Sequence, residues 1–198
     1  MLFRSLNMTQ TEFMLMGSRH RLNTLTASPT IRMNNNQVSQ VTATKSLRVM
    51  IDDKLDWHSY IEKLTKKIAA GIGTLKRIWH LIPASTVHLV NALCISHLDY
   101  CNGLLYGLPD KDISKLQRVQ NSAARLIMGT RRNEHITPVL KALHWLPVEF
   151  RLTFKILLLT YKILHDLSPS FLSSSDSLPC SNIAFLQSFF FICSVCHD

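Results

Sequence analysis

Apolar residues return at helical spacing through Ile61, Leu64, Ile68, Ile72, Leu75 and Trp79. No other feature constrains the fold as strongly. Steps of three and four keep side chains on one face of an α-helix, whereas a half-buried strand would repeat every second residue. Such a helix must cover its stripe with other elements, so the chain from Asp56 onward is expected to pack helix on helix. Candidate partners follow. Ser85 is a good N-cap for a second helix running through Leu89 and Leu93. Asp110 or Asp112 can cap a third, with the stripe Ile113, Leu116, Val119, Ala123 and Ile127 and with Gly129 as its C-cap. Thr137-Pro138 opens a short helix and Pro147 a long one. The long one is apolar almost all round from Phe154 to Leu164, which predicts the central core helix.

The first 53 residues have a different texture. "TEFMLMG" (Thr11 to Gly17) is a short apolar run ended by glycine. "PTIRMNNNQVSQV" (Pro29 to Val41) reads as two strands around an Asn34-Asn35-Asn36 turn. "SLRVMID" (Ser46 to Asp52) is a further strand by its β-branched content. At the other end, "SPSFLSSSDSLPCS" is a linker by composition. "IAFLQSFFFICSV" beyond it is apolar but shorter than the roughly 20 residues of a membrane span.

Charge narrows the partners. The 198 residues carry a net charge of +9, which fits a polyanionic partner such as nucleic acid or an acidic membrane surface and equally an ordinary solvated basic surface; with 46% hydrophobic and 18% charged residues the composition is globular. The five cysteines are odd in number and scattered, and no h-region of a signal peptide opens the chain, so an intracellular, reducing location is expected, in nucleus or cytoplasm. Lys63, Lys66, Lys67, Lys76 and Arg77 lie on the first helix. Arg118 and Arg125 lie seven residues apart on the third, on nearly the same face. These seven are the candidate phosphate contacts.

Other constellations carry less. Asp52-Asp53 in "VMIDD" looks like paired polymerase aspartates, but Glu12 is the only acidic residue before them, and two-metal catalysis needs carboxylates converging from separate elements. A polar strand-to-helix turn is the simpler reading. "CSVCH" (Cys193 to His197) matches a haem-attachment spacing without an export signal, and adjacent Cys196 and His197 suit a tetrahedral zinc poorly. "HLDYCNGLLYGLP" (His97 to Pro109) gathers catalytic residue types, and His97 and Cys101 would face each other if a helix ran through both. Bracketing Leu98, Leu104 and Leu105 point instead to a packed helix end.

"SHLDYCNGLLYGLP", "LQRVQNSAARLIMG" and "HITPVLKALHWLPVEFRLTFKILLLTYKILH" together closely resemble the C-terminal part of reverse transcriptases of jockey-like non-LTR retrotransposons. Upstream, "LNMTQTEFMLMGSR" is similar to the family's Asn-x-x-Lys-Thr-Glu strand, and "SLRVMIDDKLDWHSYIEKL" to its Leu-Gly-Val-x-Ile-Asp segment. The resemblance covers about residues 6 to 172. It implies the last palm strands and the helical thumb that clamps primer and template, with the catalytic aspartates lying before Met1. It also implies that Asp52 inherits no metal.

Two departures stand out. The family's lysine is Gln10 here, which cannot act as a proton donor at neutral pH. Its glycine is Arg48; if that glycine serves unusual backbone angles, arginine strains the turn. The expectation is therefore a mainly α fold, a helical thumb-like bundle with a small N-terminal antiparallel β segment. It divides into a residual palm β segment (1–53), a thumb-like domain (54–172) and an unrelated, unstructured tail (173–198). The expected function is that of a truncated, non-catalytic piece of an RNA-directed DNA polymerase. It would bind RNA–DNA or DNA duplex backbone, with no membrane or small-molecule partner, no metal site and no cofactor, although the parent family uses Mg²⁺. The alternatives are an inactive pseudogene-like product and a basic helical interaction module with no nucleic-acid role.

Overall fold

A computed structural model describes residues 11–24, 29–33, 36–81 and 87–169. The chain forms two compact units, 1–60 and 61–198, with the division just inside the start of a long helix. The fold is mainly α with a small β portion, as the spacing of apolar residues implies.

The first unit is built from short pairs. β1 (Glu12–Phe13) runs parallel to β4 (Ser39–Gln40), so the β portion is not wholly antiparallel. β2 (Arg32–Met33) and β3 (Asn36–Gln37) are antiparallel, and Asn34-Asn35 between them lies outside the described residues. α1 (Arg19–Asn23) is capped by Ser18, whose hydroxyl accepts from the Arg21 N–H. β5 (Ala43–Ser46) and β6 (Val49–Asp52) form a hairpin in which Ser46 faces Val49. The run Ser46–Asp52 is therefore not one strand, because Leu47-Arg48 turns the chain. Both turn residues have positive φ, 45° and 68°, the geometry of a two-residue primed turn that asparagine or glycine fills without strain. Arg48 thus occupies the left-handed conformation that the glycine of the resembling segment suggested. Val49 and Ile51 are buried from alternate positions of β6, and Trp57 meets Tyr60 edge to face at 6.3 Å.

The second unit is helical. α2 (His58–Ile78) buries Ile61, Leu64, Ile68 and Leu75 along one face. Gly71 brings it close to Cys94: a Cβ there would sit 3.7 Å from the cysteine sulfur. α3 (Val87–Val90) runs through a π-helical segment (Asn91–Ile95) into α4 (Ser96–Asp99). The expected cap Ser85 lies outside the described residues. The expected stripe is on the wrong face: Leu89 and Leu93 are exposed, while Val90, Cys94, Ile95 and Leu98 are buried. Leucine alone misleads there, because Val90, Cys94 and Leu98 hold the i, i+4 spacing just as well.

α5 (Asp110–Met128) is the hub, packing against α3, the π segment, α6 (Ile136–Ala142) and α7 (Val148–Leu164). It buries Leu116, Gln120, Ala123 and Ala124 and ends on Gly129 at φ 63°. Two of its polar side chains, Gln117 and Gln120, tie it to the start of α7. The Gln120 Nε2 donates to the Leu146 carbonyl at 2.7 Å and its Oε1 accepts from Gln117 Nε2. The Gln117 Oε1 in turn accepts from the Val148 N–H at 2.8 Å, so α5 caps the first turn of α7 where Pro147 has no side-chain cap to give. α7 itself is not the core helix: Val148 and Leu152 are its buried residues. No helix among the described residues is long and apolar enough to cross a membrane. The tail from 170 lies outside the described residues.

Candidate nucleic-acid interface

Helix geometry sorts the candidate cations before any contact is considered. At about 100° per residue, Lys63, Lys66 and Arg77 fall within roughly 60° of one another, on the side of α2 opposite Ile61 and Ile68. All three are exposed, and the Arg77 Nη2 donates to Thr74 Oγ1 at 3.4 Å. Lys67 and Lys76 lie on opposite flanks of the helix, about 180° apart. On α5, Arg118 and Arg125 share one side two turns apart, as their spacing implies.

The structure brings two of the seven together. The C-terminal end of α2 and the C-terminal half of α5 enclose a cleft of about 520 Å³, lined by Ile72, Lys76, Trp79, Ser122, Arg125 and Thr130 among others. Lys76 enters from α2 and Arg125 from α5. Arg125 is half-buried and partly committed: its Nη2 donates to the Glu134 carbonyl at 3.1 Å, while the Glu134 carboxylate accepts from the Arg131 N–H. These bonds hold the loop after Gly129 against α5. Arg125 Nε and Thr130 Oγ1 are buried without a protein partner. Both atoms are closed to solvent, so what the cleft offers an anion is the Lys76 ammonium and the accessible part of the Arg125 guanidinium. Lys63, Lys66, Lys67 and Arg77 are not brought to this cleft, and Arg118 lies outside its lining. Ser122, Thr130 and Trp79 had no signal in the sequence, since their proximity depends on how α2 and α5 meet.

Other candidate chemistry is local structure. Asp52 Oδ1 accepts from the Asp56 N–H and Asp56 Oδ1 from the His58 N–H, both at 3.0 Å, so these carboxylates shape the turn into α2. Burial, then the neighbouring Asp56, pushes the Asp52 carboxyl above its ordinary value, opposite to what a bound cation would do. The helix through His97 ends at Asp99, and Cys101 follows in a left-handed conformation at φ 51°, so the two are not on one helix face. Burial raises the Cys101 thiol, which disfavours the thiolate a nucleophile needs. The segment packs: Asn102, Leu104 and Leu105 are buried, and Arg151 grips Asp99 through both carboxylate oxygens at 2.8 and 3.0 Å. Among the described residues no group of three or more His, Cys, Asp or Glu side chains is placed to hold a metal ion. Cys193, Cys196 and His197 lie outside those residues. Comparison with known proteins adds no relative: no family model, no curated protein and no solved structure matches the chain.

Proposed function

We propose that this chain is a non-catalytic piece of a retrotransposon RNA-directed DNA polymerase whose helical unit holds the phosphate backbone of a nucleic-acid duplex without reading its sequence. The observation that carries this reading is the meeting of Lys76 and Arg125 in one cleft between α2 and α5. A phosphate offers acceptor oxygens to both side chains at once, and its negative charge is matched by two cations. The net charge of +9 draws the duplex in, and Arg118 on the same side of α5 extends the contact along the backbone. Lys63, Lys66, Lys67 and Arg77 add to the long-range attraction from other sides of α2.

The test compares two double variants that remove equal charge. Lys76→Gln with Arg125→Gln should weaken binding to a hybrid or B-form duplex at least tenfold and lower the salt slope by nearly two units, on the order of 0.9 per lost contact. Neither change touches the bond from the Arg131 N–H to the Glu134 carboxylate, so the loop keeps that tie. Lys63→Gln with Lys66→Gln should change both quantities much less. Equal slopes for the two variants would reduce the chain to a generic polycation. Absence of duplex binding by the unmodified protein at low salt would end the reading outright.

A further inference from the structure

We propose that α7 is a self-pairing surface, on which a second copy of this chain lays the same helix face. Phe150, Phe154, Leu157, Tyr161 and Leu164 follow one another at steps of four, three, four and three residues. That is the repeat of a coiled-coil seam, which turns with the helix and always presents the same side. All five are open to solvent, at 59, 57, 62, 54 and 71% of their full exposure. Val148 and Leu152, which α7 buries, lie off this seam, so the helix is anchored by one side and offers the other.

Three observations favour a second copy as the occupant. Complete cover of the seam and neighbouring Leu167 would remove at most roughly 700 Å² from each protomer, within the roughly 600–1,000 Å² a side of an ordinary stable interface. A strict heptad seam is met best by knobs of the same spacing, which another α7 supplies. Of the positions bordering the seam, Thr153, Leu158 and Thr160 are neutral, Arg151 is already held by Asp99, and His165 lies against the Tyr161 ring with centroids 4.2 Å apart. Lys155 and Lys162 lie further from the seam, where two copies would keep them apart and wet. An exposed apolar band of this size is rare on a monomer. The pairing is independent of the cleft between α2 and α5 and stands whether or not nucleic acid binds there.

The experiment is sedimentation equilibrium on the full chain at micromolar concentrations. The unmodified protein should have the mass of a dimer. Leu157→Glu with Tyr161→Glu should be monomeric, its dissociation constant raised at least about 100-fold by the loss of two central contacts. Leu157→Lys with Tyr161→Lys should be monomeric as well. Mixing the two variants should restore a dimer of one chain of each kind, which also shows that both are folded. A monomeric unmodified chain overturns the proposal. If Phe189→Ser, Phe190→Ser and Phe191→Ser together then make it dimerise, the occupant is the chain's own apolar segment. A dimer that survives both charged variants also overturns the proposal, because its interface lies elsewhere.

Discussion

α5 and α7 are neighbours of similar length, and their places in the fold are the reverse of what their compositions suggest. α7 is the more apolar helix, yet it buries only Val148 and Leu152. α5 carries charged residues along its length and still buries Leu116, Gln120, Ala123 and Ala124 at the centre of the helical unit. The difference teaches that burial follows the shape of a helix face more than its mean hydropathy. Ala123 and Ala124 let other helices come close on α5, and Gln117 and Gln120 reach across to satisfy the chain entering α7. α7 has large side chains on more than one side and seats only the side that carries Val148 and Leu152.

Truncation is the sharpest way to break this contrast. Leu116→Ala should cost about 3 kcal/mol, since the side chain is fully enclosed and leaves a cavity. Leu157→Ala, measured by urea unfolding at concentrations too low for association, should change stability by no more than about 0.5 kcal/mol. Comparable losses for the two would mean that α7 is covered within the monomer. Gln120→Ala is the next largest change. It removes one of the two donors to the Leu146 carbonyl, which Arg151 Nε still holds at 2.9 Å, and one of the two acceptors of Gln117 Nε2, which keeps Asn121, and should lower the unfolding free energy by about 1.5 kcal/mol. A neutral result would show that water or a shifted Gln117 replaces the bond.

The hairpin of the first unit sharpens the same lesson, because there too the local residue type disagrees with its position. Arg48→Gly should stabilise the chain by about 1 kcal/mol by relieving a positive φ, read as a higher urea midpoint. A loss would mean that the arginine side chain makes up for its backbone. The smallest effect belongs to Asp52. Its folded-state value is raised, so protonation favours the folded form. That contribution is fully present below the ordinary value of 3.8 and fades as pH rises through the folded value. At neutral pH the charged carboxylate is then a slight burden. Asp52→Asn should keep the bond from the Asp56 N–H and gain under about 0.5 kcal/mol, with a flatter pH dependence of stability above pH 4. A steeper dependence in the variant would reverse the assignment.

Periodicity was sufficient for the existence of α2 and α5, because a stripe at i, i+3, i+4 has no other stable use in water. Gly129 as the stop of α5 was legible for a similar reason: the left-handed cap needs a residue without a Cβ. The shared side of Arg118 and Arg125 followed from helix geometry alone. Tertiary structure alone decided which apolar stripes are covered. It chose Val90, Cys94 and Leu98 over Leu89 and Leu93, and left the seam of α7 open. It also decided which cations act together, since Lys76 and Arg125 are far apart in the chain and meet only because α2 and α5 converge at their C-terminal ends. The physical reason is common to both. A sequence records which side of a helix each residue occupies, but the neighbour that side will face is set by long-range packing, which no local repeat contains.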